Sequence, residues 1–331
     1  MALDALDPFN VRRVLGWLPV SSLANARRAL LPLPLIDRRG SVDLDVFPPI
    51  EPRPVPGLQG RRIGVVGSGG GAATVALIGV ARAFEEAMIR PAAISACSGS
   101  VLWAAMWAGG LNAQQMADRA LSWQPEDHLG IQWAGLPRFV VSALQGFAGL
   151  PKGRALEHLF DRRLWHMAAG ETQIPIHTVV FNLDRGRLER FGSERTPELR
   201  LGELARIAVA APLASEAVRI EAELYVDGGA VDAFPAEPLA GLDRVFGLNV
   251  LLPAEDGAGW DQRRAGTLEL GRRSRSALGE RLSLIEPISP EEMRELAFYE
   301  LFVDRRAWPE LMRRGYEATL EALRPFREEA E

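Results

Sequence analysis

The chain has 331 residues, 47% of them hydrophobic and 24% charged, with a net charge of -5. That composition suits a globular protein with a sizeable core, and the acidic balance excludes nucleic-acid binding through a basic face as the main role. Cys97 is the only cysteine, so no internal disulfide can form and a reducing, cytoplasmic setting is expected. Length alone fits two domains or one enlarged α/β domain with terminal additions.

The N-terminal stretch MALDALDPFNVRR lacks the apolar core of a signal peptide. No uncharged apolar run reaches the roughly 18 residues of a membrane-spanning helix. Residues 11–39 carry Arg12, Arg13, Arg27, Arg28, Arg38 and Arg39 against Asp37 alone. Val14, Leu15, Trp17 and Leu18 fit one helical face. Such a segment suits peripheral contact with an anionic membrane surface, at the inner leaflet of a cytoplasmic protein. The simpler alternative is a helix packed on the domain with its arginines solvated. Residues 40–60, with PPIEPRPVPGLQG, read as an extended arm. The expected division is therefore 1–59 as an N-terminal segment and arm, 60–290 as the main domain, and 291–331 as a helical extension.

RRIGVV reads as a buried parallel strand ending in GSGGG. A long helix follows, roughly Ala73 to Ile89, with Val75, Ile78, Phe84 and Met88 as apolar positions, and Pro91 stops it. AAISA is the next strand and VLWAAMWAG the next helix, the alternation of a parallel sheet. Residues 111–172 read as a less regular, mostly helical cover. Trp123, Trp133 and Trp165 there fit either ordinary core or the lining of an acyl pocket. IHTVVFNLD is a strand, and DRG before LERF predicts a hairpin. LGELARIAVAAPLAS is a helix ended near Pro212. ELYVDGG, DRVFGLNVLL and RLSLIEP are further strands. From Pro290 the chain reads as charged helix, frayed at FREEAE.

Three strand ends carry groups a reaction can use. Gly67-Ser68-Gly69-Gly70-Gly71 joins a strand to a helix and leaves backbone N–H groups uncovered, donors suited to an anion or a developing oxyanion. Ser98 stands at a sharp strand-to-helix turn with small neighbours, Ala96-Cys97-Ser98-Gly99-Ser100, a variant of the nucleophile elbow G-x-S-x-G. Taken alone, it reads equally as a helix N-cap. Asp227 in YVDGG ends a strand, where a carboxylate also shapes turns. The histidines are His128, His158, His166 and His177, and none follows Asp227, as a histidine completing a Ser-Asp-His order would. A serine–aspartate pair is the economical reading, with the aspartate taking the serine proton directly.

These features resemble the patatin-like phospholipases. GSGGG, a serine elbow some thirty residues on, and the block APLASEAVRIEAELYVDGGAVDAFPAEPL carry the resemblance, over roughly residues 60 to 250. It implies a patatin-like three-layer α/β sandwich, a mainly parallel central sheet with helices on both faces. It implies metal-free hydrolysis of lipid acyl esters through an acyl-enzyme, so no cofactor and no metal are expected. Position by position it implies Ser98 as nucleophile and Asp227 as base. It also implies the N–H groups of Gly69, Gly70 and Gly71 as oxyanion hole, with help from Gly99. The family's loop is commonly D-G-G-G-x-R-G. Here Ser68 replaces its aspartate, Ala73 its arginine and Thr74 its last glycine. Cys97 reads as a small core residue under the elbow.

Two other readings compete. Gly67, Gly69 and Ala72 also fit G-x-G-x-x-A, the dinucleotide fingerprint. That fingerprint wants an acidic residue ending the second strand, and this strand ends in Ala96-Cys97-Ser98. A lipid-binding protein that keeps the fold without the chemistry would account for the altered glycine loop. The substrate class expected is a lipid or small ester. The sequence carries no signature of an oligomeric state.

Overall fold

The computed structural model describes residues 46–123, 156–210, 217–250, 276–289 and 307–328. The basic segment 11–39, Trp133, His128 and Pro212 lie outside these ranges. The described strands are β1 (Ile63–Gly67), β2 (Ala93–Ala96), β3 (Ile176–Asn182), β4 (Arg187–Gly192), β5 (Val218–Ile220), β6 (Glu223–Asp227), β7 (Arg244–Leu248) and β8 (Leu282–Ile285). The helices are α1 (Ala76–Glu86), α2 (Ser100–Ala108), α3 (Ala113–Ser122), α4 (Leu156–Leu159), α5 (Arg162–His166), α6 (Leu201–Ala208) and α7 (Trp308–Glu328). A 3-10 turn over Gly71–Val75 leads into α1, where the sequence reading had one unbroken helix. None of the described helices is long and apolar enough to cross a membrane.

Strands β8, β7, β1, β2 and β3 lie side by side and parallel. β1, β2 and β3 are buried at every residue, as strands covered on both faces must be. β4 pairs antiparallel with β3 from His177 to Asn182 and fills one of its edges. The other edge is shared. β2 takes its first half, with Ala96 opposite Thr178. β6 takes its second half, antiparallel, with Asp227 opposite Val180. The ends of β2 and β6 therefore meet head to head. β5 extends the sheet beyond β6 as a short antiparallel edge.

One face of the sheet, through Val65, Ile94, Ile176, Val180, Phe246 and Leu248, shares its core with α1, α2, α3, α6 and α7. The other face, through Val66, Ala93 and Val245, packs on Phe234, Ala236, Leu239 and Leu242. Among the described residues that second cover is a looped segment with one 3-10 turn, Glu237–Leu239, and no long helix.

Helix α7 belongs to the main core, although its charged sequence reads as an extension. Trp308, Met312 and Leu323 are buried in it, and the helix runs through Phe326 to Glu328 where fraying was expected. Trp308 stacks edge-on against Trp103 at 5.8 Å, and the Tyr316 hydroxyl donates to Glu86 at 2.6 Å. The crossing with α1 is backbone against backbone. A Cβ on Gly79 would lie 2.0 Å from the Met312 carbonyl oxygen, and one on Gly315 would lie 2.2 Å from that of Ala76. The charged residues line the outer face, where Arg314 bonds Glu310 at 2.9 Å one turn away. The arm docks on the same helices: Phe47 packs against Tyr316 at 6.1 Å and the Arg82 guanidinium donates to the Pro48 carbonyl.

Candidate active site

Ser98 lies two residues past the end of β2 and has a backbone φ of 52°. A non-glycine residue in that region costs on the order of 1 kcal/mol or more and persists only where its surroundings enforce it. Here the enforcement is the turn from strand to helix. Gly99 is the N-cap of α2, and no side chain caps that helix. The Ser98 hydroxyl is therefore not a cap. It stands beside the Asp227 carboxylate instead, where it favours the charged form.

Asp227 ends β6, and its own N–H donates to the Ala210 carbonyl at 3.0 Å. Its Oδ1 accepts the Gly229 N–H at 2.8 Å, so it shapes the turn as well as meeting the serine. The Cys97 sulfur lies 3.9 Å from the same oxygen. The side chain is buried, and burial pushes its pKa up to about 6 against the opposing effect of Ser98, Gly229 and Cys97. Burial, with the nearby charges of Asp227 and Asp232, pushes the Cys97 thiol well above its ordinary range. It stays protonated at neutral pH and is no second nucleophile.

The glycine loop lies against the elbow. A Cβ on Gly99 would stand 2.4 Å from the Gly71 carbonyl oxygen and 2.8 Å from Thr74 Oγ1, so this position takes no side chain. Ser100 is fully buried, and its hydroxyl donates to the Ser68 carbonyl at 2.6 Å. The serine at the last elbow position thus ties the two loops together. Ser68, where the family motif has aspartate, accepts the Val250 N–H on its Oγ at 3.0 Å. The sequence reading missed Ser100 as a tie. The only signal available was a hydroxyl at a position that usually holds glycine.

The three expected oxyanion donors are not equivalent. The Gly69 N–H donates to the Ala233 carbonyl at 2.8 Å, because the segment after Asp227 passes over the loop, and Gly69 is therefore no open donor. The N–H groups of Gly70, Gly71 and Gly99 make no hydrogen bond among the described residues.

Among the described residues, Ser98, Gly229 and Cys97 are the polar groups that act on the Asp227 carboxylate, and no histidine is among them. His177 is in register with Ser95, whose hydroxyl bonds the Pro235 carbonyl on the loop-covered face. His166 closes α5. Asp161 accepts the Leu164 N–H at 2.8 Å and pairs with Arg119 at 3.0 Å. Glu86, at the distance a dinucleotide fingerprint would want its acid, is buried on α1 and bonded to Tyr316. No group of three or more histidine, cysteine, aspartate or glutamate side chains among the described residues could hold a metal ion. A polar cleft bordered by Gly109, Gln115, Arg119 and Asp161 lies at the far end of α2 from Ser98.

The sequence model of a family described as "Patatin-like phospholipase" matches residues 65–240. No curated protein matches the chain. Among solved structures, VipD from Legionella pneumophila is 16% identical with a TM-score of 0.44, over 80% of this chain and 67% of that one. Human GIVD cytosolic phospholipase A2 is 12% identical with a TM-score of 0.47, over 81% of this chain and 63% of that one. Full-length ExoU, from the type III secretion system of Pseudomonas aeruginosa, is 16% identical with a TM-score of 0.39, over 84% and 54%. The chain thus spans between about half and two thirds of the length of these structures.

Proposed function

Because the chain belongs to the patatin-like phospholipase family, we propose that it is a serine acyl-ester hydrolase acting on lipids through Ser98 and Asp227. The observation that carries this reading is the Ser98 side chain at a strained turn, set beside a buried carboxylate and backbone N–H groups without partners among the described residues.

Asp227 accepts the Ser98 proton as Oγ attacks the ester carbonyl carbon. The carbonyl oxygen becomes an oxyanion, and the N–H groups of Gly70, Gly71 and Gly99 donate to it. The tetrahedral intermediate collapses, the ester C–O bond breaks, and the departing alcohol takes the proton back from Asp227. Water then repeats the sequence on the acyl-enzyme, with Asp227 taking the water proton and Ser98 regaining its own. Burial serves this cycle: a carboxylate with its pKa near 6 is a stronger base than one in water, yet still ionised at neutral pH.

The basic stretch 11–39 fits a surface of anionic lipid. Removing residues 1–45 is expected to weaken binding to anionic vesicles more than hydrolysis of a soluble ester. The reading as a whole is tested by hydrolysis of a p-nitrophenyl ester series and by fluorophosphonate labelling, on the wild type, S98A and D227N. S98A is expected to lose both turnover and labelling, and D227N to lose at least about a thousandfold in kcat. A wild type without turnover or labelling would instead favour a lipid-binding protein that keeps the fold.

A further inference from the structure

The glycine loop has to be held at both ends. Its first end is β1, and its second runs into the 3-10 turn Gly71–Val75. Thr74 lies in that turn and is fully buried. Its Oγ1 donates to the Gly71 carbonyl at 2.6 Å and accepts from the Trp103 indole Nε1 at 3.1 Å. Trp103 is buried on α2, the helix that begins at the serine elbow. An indole N–H only donates, so it takes the oxygen of the hydroxyl and leaves the single hydroxyl proton for Gly71. The chain of bonds therefore has one direction, from Trp103 through Thr74 to Gly71.

Gly99 also packs closely on the Gly71 carbonyl, since a Cβ there would lie 2.4 Å from its oxygen. The carbonyl is held by a hydrogen bond and by a close contact at once. It shares its peptide plane with the Ala72 N–H; through the Gly71 torsions, φ 54° among them, it bears on the preceding plane, which carries the Gly71 N–H, and from there on Gly70. Ala73, where the family motif has arginine, is buried and offers no polar group to hold the loop.

We infer that Thr74 is a positioning residue: through Gly71 it fixes the loop N–H donors relative to Ser98, in the place of a tie from the missing arginine. The inference rests on the hydrolase reading. Wild-type turnover and labelling test that reading by themselves, and a wild type that shows neither overturns both. With an active wild type, the comparison of T74V with T74S decides. Valine keeps the shape and removes the hydroxyl, and serine keeps the hydroxyl and removes a methyl.

T74V is expected to lower kcat on a soluble p-nitrophenyl ester about tenfold or more while KM stays within about twofold, since misplaced oxyanion donors weaken the transition state and not substrate binding. T74S is expected to stay within about threefold of the wild type, with the fluorophosphonate labelling rate following kcat in both. Wild-type kcat in T74V overturns the inference. So does a T74S loss equal to that of T74V, which would point to packing of the methyl group. If T74V yields no folded protein, W103F decides: it removes the donor to Thr74 together with some ring volume against Trp308, and a thermal melt reads the cost of that volume separately. A kcat lowered about threefold or more at unchanged KM supports the inference, and wild-type kcat overturns it.

Discussion

Ala96 and Asp227 stand two rungs apart on the same edge of β3, Ala96 opposite Thr178 and Asp227 opposite Val180. Because β4 fills the other edge, β2 and β6 meet end to end, and Ser98 turns out of the sheet where they meet. The separation of Ser98 and Asp227 is thus set by the register of one central strand. A slip of β6 by one residue would turn Asp227 to the opposite face.

This arrangement makes a statement about pH. As the proposed base, Asp227 must be ionised to accept the serine proton, and burial pushes its pKa up to about 6. kcat/KM for a soluble ester is therefore expected to rise with pH along a single ionisation near pH 6 and to be level above it. H166A and H177A are expected to keep most of the activity and the same profile. A profile whose ionisation disappears in either histidine variant would refute the pair.

The same burial bears on stability, with the opposite sign from a paired carboxylate. The pKa is raised in the folded chain from 3.8 to about 6, so the folded state holds the proton more tightly than the unfolded one. Asp227 thus costs stability as pH rises through that window, and the cost is fully present above about pH 6. D227N removes the charge and keeps an oxygen for the Gly229 N–H. It is expected to be more stable than the wild type by on the order of 2 kcal/mol at pH 7.5, with the difference fading below about pH 4. Urea unfolding at the two pH values measures it.

Cys97 is fully buried and its thiol is pushed well above its ordinary pKa. Iodoacetamide is expected to leave the native protein unlabelled over hours at pH 7.5 and to label it fully in denaturant, read by intact mass. Rapid native labelling with loss of turnover would show a cysteine far more accessible than this.

The crossing of α1 and α7 leaves no room for a methyl group at Gly79. G79A is expected to lose about 3 kcal/mol or more, because the added Cβ meets backbone that cannot rotate away. G241A, where nothing lies within 4 Å, is expected to stay within about 0.5 kcal/mol of the wild type. Thermal melts of the pair separate a packing effect from a general intolerance of alanine.

Short apolar runs with small polar residues at their ends were enough to locate β1, β2, the elbow and Asp227, because each of those features is local. The meeting of β2 with β6 was not legible, since a strand's sequence says which of its faces is buried but not which edge of a neighbour it takes. The Ala233 carbonyl over Gly69 escaped for a related reason: a backbone acceptor leaves no trace in side-chain identity. Thr74 read only as a departure from glycine until its hydroxyl was seen between Gly71 and Trp103. Helix α7 read as an extension because its outer face is charged. Its inner stripe of Trp308, Met312, Gly315 and Leu323 gains meaning only with Gly79 opposite.

The seat of α7 also has a consequence for biosynthesis. The glycine loop is mounted on the turn that opens α1, and α7 braces both that turn and α1 from behind. A nascent chain that has not yet emerged past Glu328 holds Ser98, Asp227 and all the loop glycines, yet lacks the brace. The packing behind the glycine loop is thus completed only once this helix is made, well after the strands that carry Ser98 and Asp227.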